Sequence, residues 1–285
     1  DAAADAAAAA VDTTPVVVVV PGIAGSSAQH YVRNFVHECT HERGWHAAVV
    51  NHRGCDGHEL DTPHLFMFGD WHDLATALVR VSARRPAAPL HLIGFSMGGL
   101  VVCNYMTRCV PRVANVRSAA SVCQGYDVER GSHTLSTFYG TVMLLKMKSL
   151  VRRHRERITP HIDVDHVLSA TTPQEFDERY TLRLYAHRNW SRVEEYYADM
   201  SCAPHIARVD VPCLLINALD DPLVKPHLLD VPLDSHRRNA NVVVLTLDRG
   251  GHLGFARGLI PQHKTLLDDL LTDWVGEVAR ADATE

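Results

Sequence analysis

One segment constrains the fold more than any other. Leu90–Gly94 is a short apolar run, Met97–Arg108 carries an apolar helical face, and only Phe95 and Ser96 lie between them. A chain that leaves a strand and enters a helix in so few residues must turn sharply. Gly94 and Gly98 flank the turn, where a side chain would crowd the neighbouring strand or helix. The hydroxyl of Ser96 is then thrown above the end of the strand. The helix beneath it offers free N–H groups and a field that favours negative charge. The string Gly94-Phe95-Ser96-Met97-Gly98-Gly99 therefore marks Ser96 as a candidate nucleophile.

The rest of the chain falls into step with this segment. Val16–Val20 reads as a buried strand ending at Pro21-Gly22. The spacing predicts a helix over 29–43 stopped near Gly44, a strand over Trp45–Asn51, a helix over 71–84 and a strand within Val113–Cys123. Residues 134–200 read as helical, without a convincing strand. Strands return at Val211–Asn217 and Asn241–Thr246, and a last helix is expected near 263–279. Strand and helix in alternation, with Val- and Ile-rich strands, predict an α/β fold: a mostly parallel sheet covered by helices on both faces. Residues 15–123 and 201–285 form the expected core. Residues 124–200 are read as a helical cap inserted between two sheet strands, and 1–14 as an Ala-rich tail or linker.

Composition removes several classes of function. A hydrophobic fraction of 46% with 21% charged residues is that of a folded globular chain. A net charge of -5 gives no reason to expect a nucleic-acid partner. Seven scattered cysteines, without a Cys-x-x-Cys, argue against a disulfide framework and against a cysteine zinc site. A reducing compartment fits them better, whether the protein is cytoplasmic or membrane-associated. No apolar run reaches the roughly 18 residues of a membrane span. The loop after Val20 has neither a Gly-x-Gly-x-x-Gly string nor a Gly-Lys-Ser/Thr ending, so it is not a nucleotide cradle. No metal and no organic cofactor is expected.

A serine nucleophile needs a base, an acid to orient it and donors for the developing oxyanion. His252, in Gly250-Gly251-His252 beyond the strand 241–246, is the candidate base. Asp220 and Asp221 lie beyond the strand 211–217. Asp221 is preferred because it directly precedes the Pro222 turn, which leaves Asp220 to cap that turn or face solvent. The chain order is then Ser, Asp, His, with each residue at the C-terminal end of a strand. His52 ends the second strand but falls before the nucleophile, so it reads as a loop-orienting group. The expected oxyanion donors are the backbone N–H of Met97 and that of Ile23, in Pro21-Gly22-Ile23-Ala24-Gly25.

These residues resemble family 4 of the AB hydrolase superfamily, which comprises the alpha/beta-hydrolase-domain proteins 1 and 3, fungal medium-chain ester synthase/esterase relatives and bacterial YheT-type hydrolases. Besides the serine turn, the matching stretches are Pro21-Gly22-Ile23-Ala24-Gly25, Asn51-His52-Arg53-Gly54-Cys55, Asp163-Val164-Asp165, Phe176-Asp177-Glu178-Arg179-Tyr180, Asn217–Pro222 and Gly250-Gly251-His252-Leu253-Gly254-Phe255. The resemblance implies an α/β-hydrolase fold and the same three residues, Ser96, Asp221 and His252. It also implies hydrolysis of short- or medium-chain carboxylic esters, acylglycerols or phospholipids among them. Alternatives are an alcohol O-acyltransferase using the same acyl-enzyme, and a catalytically dead hydrolase fold used for binding. Members of this family usually carry two antiparallel strands, and many an anchor, ahead of the first strand seen here. About six strands are therefore expected in this chain.

The expected partner is a small lipid-like ester, with peripheral membrane contact through the cap or an upstream anchor; nothing in the sequence fixes an oligomeric state. Residues 134–158 carry apolar Phe138, Val142, Met143, Leu144, Leu145, Met147, Leu150 and Val151, then turn basic at Arg152, Arg153, Arg155 and Arg157. One reading is a lid that lines an acyl pocket and touches an anionic lipid surface. The plainer reading is a cap helix with one buried face and a solvated basic end. The Phe176–Tyr180 run reads as structural, pinning the cap to the sheet domain.

Overall fold

The computed structural model describes residues 12–258, 263–282 and 284. The expected tail lies outside the described residues as far as residue 11. Six strands form one sheet in the order β2-β1-β3-β4-β5-β6: β1 Val16–Val20, β2 His46–Val49, β3 Leu90–Phe95, β4 Val116–Val122, β5 Cys213–Ala218 and β6 Val242–Leu247. Every pairing is parallel. The two-residue period of a strand divides the side chains between the faces. Val16, Val18 and Val20 join Leu90, Leu92 and Leu215 on one side. Val17, Val19, Ile93, Phe95 and Ile216 point to the other. Both faces are buried, which is why these strands read as unbroken apolar runs.

Helices α1 His30–His37, α2 His72–Arg84 and α3 Met97–Arg108 lie in the first half of the chain. Between β4 and β5 come α4 Val128–Thr134, α5 Thr137–Arg153, α6 Arg155–Ile158, α7 Val164–Leu168, α8 Pro173–Arg179, α9 Thr181–Leu184 and α10 Val193–Met200. Helix α11 Asp230–Arg238 precedes β6, and α12 Leu266–Asp282 ends the chain. Helix α3 is buried continuously from Met97 to Met106, because it lies between the sheet and the other layers. The helix expected over 29–43 divides into α1 and a π-helical turn over Glu38–Glu42. There the Thr40 hydroxyl donates back to the Val36 carbonyl at 2.9 Å and competes with the regular ladder.

Tyrosines fasten the helices between β4 and β5 to the segment that links β2 to α2. Tyr180 donates to the carbonyl of Pro63 at 2.7 Å and accepts from the N–H of Leu65 at 3.1 Å. Tyr185 donates to the carbonyl of Leu65, and Tyr196 accepts from the N–H of Phe68 at 2.8 Å. Asn104 of α3 donates to the carbonyls of Gly69 and Met200, at 2.9 and 2.7 Å. These polar bonds satisfy backbone groups that irregular segments would otherwise bury unpaired.

Two stability predictions follow from this packing. A Cβ on Gly98 would lie 2.1 Å from the carbonyl oxygen of Val20 and 2.5 Å from that of Pro21. Backbone cannot yield as a side chain can, so Gly98→Ala should cost about 3 kcal/mol or more in urea unfolding. Gly125→Ala, with nothing within 4 Å of its Cβ, should stay within about 1 kcal/mol of wild type. The second concerns His91, whose Nδ1 pairs with Ser118 Oγ at 2.8 Å while Nε2 has no partner among the described residues. Burial, with Arg117 adding repulsion, holds His91 down to about 4. In the unfolded chain the imidazole takes up its proton near pH 6.5. The unfolded state therefore binds more protons between these values. Stability should fall by up to roughly 3 kcal/mol as the pH drops from about 6.5 to 4. His91→Gln should lack that part of the slope; an unchanged slope would exclude His91 as its source.

Candidate active site

Ser96 has φ +53° and ψ −122°, a conformation that an L-residue adopts only under constraint. Close packing supplies the constraint. A Cβ on Gly94 would meet the Gly98 carbonyl oxygen at 2.3 Å, and one on Gly99 would meet Ser121 Oγ at 2.2 Å. The N–H of Ser96 donates to the Val122 carbonyl at 2.7 Å. Although Ser96 occupies the N-cap of α3, its hydroxyl does not cap the helix. It lies instead 2.9 Å from Nε2 of His252.

His252 Nδ1 is 2.9 Å from Oδ2 of Asp221. The Asp221 side chain is fully enclosed, and its Oδ1 accepts from the N–H of Leu223 at 2.8 Å and of Val224 at 3.1 Å. These bonds satisfy the buried carboxylate and hold it in one orientation. Asp220 does something else: Oδ1 accepts from the N–H of Gly250 at 2.8 Å and of Gly251 at 2.7 Å. It therefore fixes the loop that carries His252. The same loop is anchored by Phe255, whose buried ring occupies the space a Cβ on Gly250 would need.

Both expected oxyanion donors lie at the same place. Ile23 and Met97 line one cavity with Ser96 and His252, and neither N–H has a protein partner among the described residues. The loop bearing Ile23 is tied down on each side. Tyr31 accepts from the N–H of Gly22 at 2.9 Å, and His52 Nε2 donates to the carbonyl of Pro21 at 2.9 Å. Burial lowers the His52 pKa, and its ring serves the loop, while Ser96 pairs with His252. Asn51 Oδ1 accepts from the N–H of Ser27 at 2.8 Å, further along the same loop. The string Asn51-His52 thus acts on chain 24 and 31 residues before it.

Sequence reasoning missed two neighbours. Tyr31 gives no local sign of its contact, because the bond to Gly22 spans the whole turn between β1 and α1. Cys123, at the end of β4, places its sulfur within 4.8 Å of Asp221 and His252 ligand atoms. Burial, with the Asp221 charge adding to it, pushes the Cys123 thiol up. A thiol kept protonated beside a carboxylate already holding three donors is a poor metal ligand set.

The cavity has a volume of about 280 Å³ and is walled largely by apolar groups, among them Leu100, Val128, Leu135, Val142, Met143 and Leu228. It runs from Ser96 beneath α4 and α5. The arrangement provides a hydroxyl with a base on it, a committed carboxylate behind the base, two unused N–H donors and an apolar chamber.

Comparisons with known proteins give the chain a family. The family model described as alpha/beta hydrolase fold matches residues 15–258. Phospholipase ABHD3 of Bos taurus is 30% identical over 268 residues, covering 92% of this chain and 64% of that protein. Monoacylglycerol lipase ABHD2 of Danio rerio is 32% identical over 272 residues, covering 90% of this chain and 62% of that protein. The chain thus spans less than two thirds of the length of these relatives. Among solved structures, an esterase of Pyrococcus furiosus is similar in fold, with a TM-score of 0.59 at 15% identity over 94% of this chain and 82% of that one. The chain belongs to the alpha/beta hydrolase fold family.

Proposed function

We propose that this chain is a serine hydrolase of short- or medium-chain lipid esters, acylglycerols or phospholipids, and that it stands in family 4 of its superfamily. The observation that carries the reading is the continuous relay from Ser96 through His252 to the enclosed Asp221, with 2.9 Å at each step. The names of the two relatives, a phospholipase and a monoacylglycerol lipase, support the substrate class. Residues 124–200 serve as the cap that roofs the acyl chamber.

In this reading Ser96 Oγ attacks the ester carbonyl carbon, and its proton passes to Nε2 of His252. The Asp221 carboxylate holds Nδ1–H and stabilises the imidazolium. The tetrahedral oxyanion accepts from the N–H groups of Ile23 and Met97. The intermediate collapses, the bond to the alcohol breaks, and the alcohol leaves with the proton from Nε2. Water then attacks the acyl-serine carbonyl and gives its proton to Nε2. A second collapse returns that proton to Ser96 and releases the acid.

Substitutions at the relay test the roles. Ser96→Ala should abolish fluorophosphonate labelling and turnover of p-nitrophenyl esters. Asp221→Asn should lower kcat/KM by roughly 10³–10⁴-fold. Asp220→Asn keeps its Oδ1 acceptor for Gly250 and Gly251 and should cost less than about tenfold. The reverse ranking of the two aspartates, in folded variants, would overturn the assignment of the acid. Equal labelling of Ser96→Ala would overturn the nucleophile.

Acyl length tests the chamber. Each buried CH₂ contributes roughly 0.8 kcal/mol, about fourfold in kcat/KM if it is realised in the transition state. Soluble monomeric esters should rise in kcat/KM from acetate to a maximum at medium chain length and fall by palmitate. A steady decline from acetate would reject an acyl-binding chamber.

A further inference from the structure

Helix α5 has two faces of different character. Gly140, Leu144, Met147, Leu150 and Val151 are buried. The opposite stripe follows the alternating four- and three-residue steps of a helix face through Phe138, Val142, Leu145, Ser149 and Arg152. Its first part is apolar and exposed, with Phe138 at 69%, Val142 at 39% and Leu145 at 55% of their full accessible surface. The other exposed large apolar side chains among the described residues, such as Val79, Val110 and Leu233, fall singly on different elements. Singly exposed apolar groups are ordinary; three in one stripe on one helix are not.

The second part of the stripe is basic. Helix α5 carries Lys146, Lys148, Arg152 and Arg153 and no acidic residue, in a chain whose net charge is -5. Arg155, beyond the helix end, is paired with Asp165 at 2.8 Å; the four cations of α5 have no such partner among the described residues. The helix also borders the cavity, through Tyr139, Val142, Met143 and Lys146. Exposed apolar groups, cations without an ion-pair partner among the described residues and part of the cavity wall therefore share one helix. No helix among the described residues is long and apolar enough to cross a membrane, so contact through this face would be peripheral.

We propose that the outer face of α5 seats the protein on an anionic lipid bilayer, so that the cavity mouth opens onto the surface that supplies its ester. Phe138 and Leu145 enter the acyl boundary, and Arg152 and Arg153 meet the anionic head groups. The proposal rests on the hydrolase reading for its purpose, but its test does not depend on catalysis.

The full chain is sedimented with sucrose-loaded vesicles of phosphatidylcholine alone, or with one third phosphatidylglycerol, at low and high salt. Binding should require the anionic lipid and should weaken as salt is raised. Arg152→Gln with Arg153→Gln should reduce the partition coefficient roughly thirtyfold, from about 1 kcal/mol for each cation. Phe138→Ser with Leu145→Ser should also release the protein. None of these four residues lines the cavity, so both double variants should keep wild-type turnover of soluble esters, which shows that they fold. Equal binding to neutral vesicles, no binding, or binding that survives both double variants would overturn the proposal. So would a concentration-dependent dimer that Phe138→Ser with Leu145→Ser abolishes in a protein that ignores vesicles. Absence of soluble-ester turnover in the wild type would instead defeat the hydrolase reading and leave the vesicle result intact.

Discussion

The left-handed backbone of Ser96 is the constraint on which the rest of the site depends. Unsupported, such a conformation costs on the order of 1–3 kcal/mol. It persists because β3 and α3 meet through Gly94, Gly98 and Gly99 with no space for a Cβ, and because the sheet holds the Ser96 N–H. The same contacts bring α3 against the end of β1, and so set the Met97 N–H beside the loop that bears Ile23. A single crowded junction thus positions the hydroxyl and both candidate oxyanion donors. The fully buried strands around it supply the stability that offsets the strain.

Polar anchors make the surrounding loops as definite as the sheet. Asp220 ties the turn before His252, His52 and Tyr31 tie the loop containing Ile23, and Leu223 and Val224 orient Asp221. In each case a side chain occupies backbone groups that a loop would otherwise leave to water. The candidate relay is thus held by irregular segments that are themselves tied by side-chain hydrogen bonds. Tyr180, Tyr185 and Tyr196 likewise fasten helices between β4 and β5 to backbone of the segment that links β2 to α2.

Much of this was legible in the sequence because it is written locally. Val16–Val20 announces a strand buried on both faces, and its bounds in the structure are the same. The two glycines around Ser96 announce a close approach that any side chain would block. The strand ends before Asp221 and His252 could be placed because a parallel sheet sends its C-terminal ends to one edge. What was not legible depends on contacts distant in the chain. Nothing near Tyr31 signals that its hydroxyl meets Gly22, and nothing near Cys123 signals that its thiol will lie beside Asp221. The π-helical turn at Glu38–Glu42 was also hidden, since its apolar spacing is close to that of an ordinary helix. For α5, apolar and basic residues were visible in the sequence, but only the fold shows that Phe138, Val142 and Leu145 are left exposed beside the cavity.

The central claim is that the ester carbonyl is attacked by Ser96 itself, with an acyl-enzyme as the consequence. The most direct measurement is rapid acid quenching during turnover of a p-nitrophenyl ester, followed by mass spectrometry of the intact chain and its peptides. The account predicts a species heavier by one acyl group, formed at the rate of the first burst of p-nitrophenol, with the added mass on the peptide containing Ser96. Turnover without any acylated species in single-turnover time points, or an acyl group carried on another residue, would contradict it.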